Sequence, residues 1–336
     1  MSLTLRQLPV GSLTLCKLPV GSLPLCKLSA ESLMKWTKLS CCMYVSALPD
    51  CLDSLTLLNC SNTSVKKLPN SLDSLECLIC NNTYIITLPK LKNLKELICF
   101  NTEIEEIPEF INLTYLECSN SYIRKLPELT LLRTLICSNT NIDEIPDTLI
   151  SLEILDCSNT YVKVIPQSLV NLNKLIISFT DIHNVPNFKS LKTLICPFTR
   201  IDTLPDSLVS LKYLDCFQTG ISIIPDTLVS LLRLYCEETI VEMVPQTLVS
   251  LQVLHCSKTF IRELPKELNK LRILSCGLVK VNQVCSLEYL ESEYFIVSKK
   301  LKYFNGQEVN MSKYIKMLVL VEILSNDIIR HYNDYF

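Results

Sequence analysis

Apolar positions along the chain recur with a spacing of 19 or 20 residues from residue 55 to about 284. Twelve units begin at Leu55, Leu75, Leu94, Leu113, Leu132, Leu152, Leu172, Leu191, Leu211, Leu231, Leu251 and Leu271. Each reads L-x-x-L-x-C-x-x-T-x-I-x-x-L-P, followed by a return segment. Alternation in L-x-C places positions 4 and 6 on one side of a short strand and positions 3, 5 and 7 on the other. No single unit can bury its leucines, so neighbours must stack and pair their strands in parallel. Twenty residues cannot hold a strand, two turns and a helix. The return limb is therefore predicted to be extended, polyproline-like or at most a 3₁₀ turn, and proline after the apolar position 14 fits such a path. The shorter units lose their residue in this limb, as in Pro89-Lys90-Leu91 against Pro69-Asn70-Ser71-Leu72. Strand register should survive the change.

The pattern resembles the leucine-rich repeat superfamily, and within it the short leucine-proline subtype of bacterial effectors, in a cysteine-bearing variant. The tyrosine-, isoleucine- and asparagine-rich flavour also resembles repeat proteins encoded by giant DNA viruses. The resemblance covers residues 36 to 284. It implies a β-rich solenoid with a curved parallel sheet on the concave side, an extended or 3₁₀ convex side, and a small α/β C-terminal cap. The chain departs from the family at position 9, where threonine (Thr63, Thr83, Thr102, Thr140, Thr160) replaces the usual asparagine. A threonine hydroxyl can still bond a nearby backbone group, with fewer bonds than an amide.

Three segments are expected. Residues 1–35 carry ten-residue duplications, half a rung each, and read as an irregular or partly disordered lead-in. Arg6, Lys17 and Lys27 interrupt any secretory apolar core. Residues 36–285 form the solenoid, with a degenerate first rung around Trp36, Leu39, Val45 and Leu48. Residues 286–336 form a cap: Asn305-Gly306 suits a hairpin turn, and Ser312 could cap a helix from Lys313 to about Tyr332.

Composition then removes several function classes. With 32 basic against 34 acidic residues and a formal net charge of −2, there is no nucleic-acid footprint. Five glycines cannot assemble a phosphate cradle. The apolar content is periodic, and no run approaches a membrane span. Eleven of the 18 cysteines occupy position 6, with Ile177 filling that slot once. There a free cysteine acts as a small buried hydrophobe. Strands about 4.8 Å apart do not suit a disulfide's Cβ separation of about 3.8 Å, so free thiols and a reducing, cytoplasmic setting are expected. Cys77-x-x-Cys80 fails as a zinc pair because residues three apart on a strand face opposite sides. No metal or cofactor is expected. Asp215, Tyr235 and His255, at position 5 of successive rungs, form the best polar constellation. They read as a surface ladder, because Asp215 and His255 stand about 10 Å apart by strand spacing. Some bacterial relatives carry a C-terminal ubiquitin-ligase domain with a catalytic cysteine, but only about 50 residues follow the last rung here and Cys285 fills a proline slot. That activity is not implied.

Function should rest on positions the repeat leaves free. Lys174, Ile176, Phe179, Ile195, Phe198, Tyr213, Asp215, Phe217, Arg233, Tyr235 and His255 form the candidate partner-binding patch, on positions 3, 5, 7 and 8. Contiguous apolar surface with aromatic and arginine residues is typical of hot spots. The phenylalanines could instead pack rung on rung. The Ser-Asn pairs of other rungs (Ser119-Asn120, Ser138-Asn139, Ser158-Asn159) read as turn chemistry. The expected function is a non-enzymatic protein-interaction scaffold that binds a protein through its concave face. The alternatives are a substrate-recognition subunit of a ubiquitin ligase, which would need an adaptor-binding helical module not visible near the N-terminus, and a structural or self-associating protein.

Overall fold

In the computed structural model, residues 37–41 and 43–277 are described in full. The strands Ser12–Thr14, Lys280–Val281, Tyr289–Ser292, Tyr303–Phe304 and Gln307–Glu308 are described as backbone only. The expected helix from Lys313 lies outside the described residues. The chain divides into two compact units, 1–191 and 192–336.

Among the described residues of the first unit, nine short strands run parallel: β1 (Ser12–Thr14), β2 (Lys38–Ser40), β3 (Leu57–Asn59), β4 (Cys77–Ile79), β5 (Glu96–Ile98), β6 (Tyr115–Glu117), β7 (Thr134–Ile136), β8 (Ile154–Asp156) and β9 (Lys174–Ile176). Register is strict, with Leu58 opposite Leu78, Leu78 opposite Leu97 and Leu155 opposite Leu175. The Leu78–Leu97 pair spans a 19-residue unit and the Leu58–Leu78 pair a 20-residue one. Length variation is absorbed outside the strand. Strand β1 lies within the stretch read as a lead-in and pairs in register with β2.

The second unit repeats the plan in β10 (Thr193–Ile195), β11 (Tyr213–Asp215), β12 (Arg233–Tyr235), β13 (Val253–Cys256) and β15 (Ile273–Cys276). A small side pairing joins β14 (Glu263–Leu264) to β16 (Lys280–Val281). Past Cys285 the 20-residue spacing ends, yet parallel pairing continues through β17 (Tyr289–Ser292) to β18 (Tyr303–Phe304). Strand β18 then pairs antiparallel with β19 (Gln307–Glu308), and the turn expected at Asn305-Gly306 lies outside the described residues.

The core follows the repeat positions. In the rung from Leu152, the side chains of Leu152, Leu155, Cys157, Val162, Ile165 and Leu169 are all buried. In the four 19-residue units the inward slot of the limb is filled by Leu91, Phe110, Leu129 and Phe188, all buried. The return limb is made of turns: the Leu149 N–H donates to the Pro146 carbonyl, and the Leu152 N–H to the Leu149 carbonyl. No helix occurs among the described residues.

The threonine at position 9 ties the corner after each strand. Its hydroxyl donates to the carbonyl of the position-6 residue, at 2.6 Å from Thr63 to Cys60, 2.7 Å from Thr140 to Cys137 and 2.7 Å from Thr239 to Cys236. Ser121 does the same for Cys118 at 2.6 Å. A buried carbonyl that would otherwise lack a donor is thereby satisfied. Position 8 just before it adopts a left-handed backbone in eleven rungs, with φ between 52° and 58°. Asparagine tolerates that conformation better than other side chains with a Cβ, and it occupies the slot from Asn62 to Asn159.

Candidate functional site

The burial pattern along the strands fixes what is available to a partner. The middle residue of each three-residue strand is buried, while positions 3 and 5 are half-buried or exposed. The candidate patch is distributed over both units. In the first, Lys174 and Ile176 flank buried Leu175 on β9, and Phe179 stands 58% exposed with φ 58°. The remaining eight residues belong to the second unit.

There the strand face carries an aromatic ladder. Register sets Tyr213 beside Arg233, Asp215 beside Tyr235, and Tyr235 beside His255. The Tyr213 and Tyr235 ring centroids lie 5.4 Å apart, and those of Tyr235 and His255 4.7 Å apart. Each such contact contributes on the order of 0.5–1.5 kcal/mol beyond burial. Beside the ladder, Phe217 meets Phe198 edge to face at 5.3 Å. Phe198 remains 40% exposed and holds φ 57°. Phe217 is half-buried, and Ile195 lies half-buried on β10. Packing and exposure thus coexist in the phenylalanines: Phe217 leans on its neighbour, while Phe179 and Phe198 keep much of their surface in water.

Two carboxylates stand among these rings. Asp215 accepts the Phe217 backbone N–H at 3.2 Å. Burial pushes its carboxyl above the usual aspartate range. That backbone donor opposes the shift, Glu237 adds to it, and His255 counters it. The phenol of Tyr213 is also pushed up, first by burial and then by Asp215. Glu237, at position 7, sits 3.2 Å from Nδ1 of His255. Repeat reasoning missed Glu237, because among residues at positions 7 and 8 it singled out only the phenylalanines. The available signal was an acid where half of the units carry serine and no other unit carries a charge. As a surface ladder, Asp215, Tyr235 and His255 stack in series and do not converge on one point, so they offer a recognition strip in place of an acid–base pair.

The cysteine ladder is chemically quiet. Cys80, Cys99, Cys137, Cys216 and Cys236 are fully buried and free. Burial pushes the Cys80 and Cys118 thiols up to about 12, with Glu117 adding to the shift at Cys118. A thiol so far from ionisation is a poor nucleophile. Cys77 is half-buried on the opposite strand face from Cys80, and burial followed by Glu96 raises it to about 11. Among the described residues no group of three or more His, Cys, Asp or Glu side chains is placed to hold a metal ion.

The fold is that of a leucine-rich repeat solenoid. It matches a leucine-rich repeat protein of Leptospira interrogans over 78% of this chain and 79% of that one, with a TM-score of 0.69 and 21% identity. The functional domain of InlJ from Listeria monocytogenes, which includes a cysteine ladder, matches over 78% of this chain and 69% of that one (TM-score 0.64, 23% identity). YopM, a leucine-rich effector protein from Yersinia pestis, matches over 76% and 83% (TM-score 0.64, 22% identity). No family model matches the sequence, and no curated protein matches it.

Proposed function

We propose that the chain is a non-enzymatic scaffold that binds a protein partner through the open strand face of its second unit. The observation that carries this reading is Phe198. A bulky side chain with positive φ is strained by roughly 1–2 kcal/mol, a cost shared at position 8 by Phe179, Gln218, Glu238 and Lys258, whereas asparagine fills the slot more cheaply from Asn62 to Asn159. Phe198 does not recover the cost by full burial, since 40% of it stays in water. Strain kept at an exposed aromatic beside a ladder of Tyr213, Tyr235 and His255 is what a binding anchor requires.

The electrostatics narrow the partner. Asp215 is partly desolvated, and Glu237 adds a second acidic group close by. A lysine or arginine side chain of a partner would relieve Asp215 and stack on the tyrosines. Arg233 on the flank would pair with an acidic residue further out. The partner is therefore expected to present a basic side chain beside apolar ones. A cytoplasmic setting agrees with the free thiol ladder, which needs no oxidising environment.

The test is a quantitative affinity purification of the wild type against a Phe198→Glu, Tyr213→Glu, Phe217→Glu variant, with circular dichroism to confirm folding. The reading expects partners recovered by the wild type to be lost at least tenfold from the folded variant. Unchanged recovery would remove this face from consideration.

A further inference from the structure

The return limbs of the second unit carry an apolar strip between two charged ends. Each limb folds alike: the Leu208 N–H donates to the Pro205 carbonyl, Leu228 to Pro225, Leu248 to Pro245 and Leu268 to Pro265. Side chains at one repeat position therefore line up from rung to rung. Positions 11 and 14 are buried, which turns positions 12, 13 and 16 outward. At position 13, Ile223 and Met243 stand on adjacent rungs and are 72% and 69% exposed. Val229 and Val249, exposed at position 19 of the same two rungs, continue the strip. In the first unit an exposed Val164 has only Glu144 and Asn184 beside it at position 13. On the rung before Ile223 the limb is acidic, with Asp202 at position 12 and Asp206 at position 16. On the rung after Met243 the same positions hold Arg262 and Lys266. All four are exposed, and among the described residues none has an ion-pair partner in its own chain.

We infer that a second copy of this chain packs on this limb face. A twofold axis running along the limb, midway between the rungs of Ile223 and Met243, lays the four rungs on their own reversed order. Ile223 then meets Met243 of the partner subunit, and Val229 meets Val249 of the partner subunit, so the apolar strip is covered. Asp202 meets Arg262 of the partner subunit and Asp206 meets Lys266 of the partner subunit, each twice by symmetry. Between these ends Ser222 faces Glu242 and Asp226 faces Gln246 in the same way. No charge opposes its like.

Neighbouring registers fail on the same charges. An axis through the rung of Met243 sets Glu242 against its own copy. An axis through the rung of Ile223 sets Asp226 against its own copy and Asp202 against Glu242. Like charges held in opposition penalise a wrong pairing, so the sequence of the limbs selects both the partner and the register. An unrelated protein would have to present base, apolar and acid in this reversed order; a second copy does so by symmetry. Four rungs at about 4.8 Å and a limb of at most about 3.1 Å per residue outline roughly 20 Å on a side. That is about half of the ~800 Å² that each partner gives to a stable complex, and exposed ion pairs add little each. The dimer is therefore reversible, and it uses no residue of the strand face proposed above for a protein partner.

Sedimentation velocity of the full chain at about 10 µM to 1 mM tests the inference, with a monomer–dimer dissociation constant on the order of 100 µM expected. Two variants, Arg262→Glu with Lys266→Glu and Asp202→Lys with Asp206→Lys, each set like charges against one another at both ends of the dimer. Each alone should weaken association at least tenfold with an unchanged circular dichroism spectrum. Mixed one to one they are complementary again and should dimerise as the wild type does. Met243→Asp should weaken the dimer at least tenfold, while Tyr213→Glu leaves it unaltered. The inference is overturned if the wild type stays monomeric throughout, if it grows beyond a dimer, if either charge variant alone associates like the wild type, or if the mixture stays monomeric. Loss of the dimer in Tyr213→Glu would move self-association to the strand face and overturn it equally.

Discussion

At the level of single residues, two side chains stand in environments that act against stability, and each yields a prediction. Phe198 holds a left-handed backbone at a position where asparagine serves in the six rungs from Asn62 to Asn159. Phe198→Asn is expected to raise stability by about 1 kcal/mol in urea unfolding, while partner recovery falls. A variant that loses both stability and binding would show that Phe198 is a packing residue. Asp215 has a carboxyl that burial holds above its usual range. Its folded pKa therefore exceeds its unfolded one, so the folded state binds the proton more tightly. Stability should fall as pH rises through the interval between the two values. Asp215→Asn, which keeps an acceptor for the Phe217 N–H, should match the wild type below that interval and exceed it above. A variant less stable at neutral pH would contradict the assignment. The corner threonine acts in the opposite sense. Thr140→Val removes a buried donor from the Cys137 carbonyl and should cost about 1–2 kcal/mol.

Within an element, the strand is rigid and the return limb is permissive. Units of 19 and 20 residues both keep leucine opposite leucine across neighbouring strands. Thr227 lies in a return limb, and its hydroxyl is buried without a hydrogen-bond partner. Deleting it converts Pro225-Asp226-Thr227-Leu228 into the shorter form seen at Pro186-Asn187-Phe188. The expected cost is no more than about 1–2 kcal/mol. Deleting Tyr213 instead would turn the strand's inward leucine outward and should lower the urea midpoint far more. Equal effects would argue against strand register as the organising constraint. The thiol ladder gives an independent reading: the buried cysteines from Cys60 to Cys276 should resist a thiol reagent in native protein and react on unfolding, whereas half-buried Cys51 and Cys77 are open to it.

Across the whole molecule, the legible part of the fold is the part that repeats. Leucine at positions 1 and 4, cysteine at position 6 in all but the rung of Ile177, and the proline after position 14 in all but the last unit specify strand, core and turn, because burial and φ restriction act the same way each time. The corner hydroxyl was legible as well, since threonine at position 9 has a carbonyl within reach wherever it stands. The site was less so. Glu237 was passed over beside the phenylalanines of neighbouring rungs, and only the placement of His255 made it a partner. The phenylalanines at position 8 read as rim residues in sequence; that they hold a left-handed backbone depends on a corner geometry that side-chain alternation does not encode. A break at Asn120 was equally invisible, in the column of position-8 asparagines that otherwise bond side chain to side chain from rung to rung. Its sequence context, Cys118-Ser119-Asn120, matches Cys137-Ser138-Asn139, yet the Asn139 side chain accepts from Asn159 while that of Asn120 bonds to neither neighbouring asparagine. The division into two units likewise has no mark in a period that runs unbroken from Leu172 to Leu211.

The central claim is that a partner is held on the open strand face of the second unit. Hydrogen–deuterium exchange of the isolated chain and of its complex with a purified partner tests this most directly. The account predicts slowed exchange on binding in Phe198, Tyr213–Phe217 and Arg233–Glu237, with the return limbs at Pro205–Leu208 and Pro225–Leu228 unchanged. Protection confined to those return limbs, with the strand segments unaffected, would contradict it.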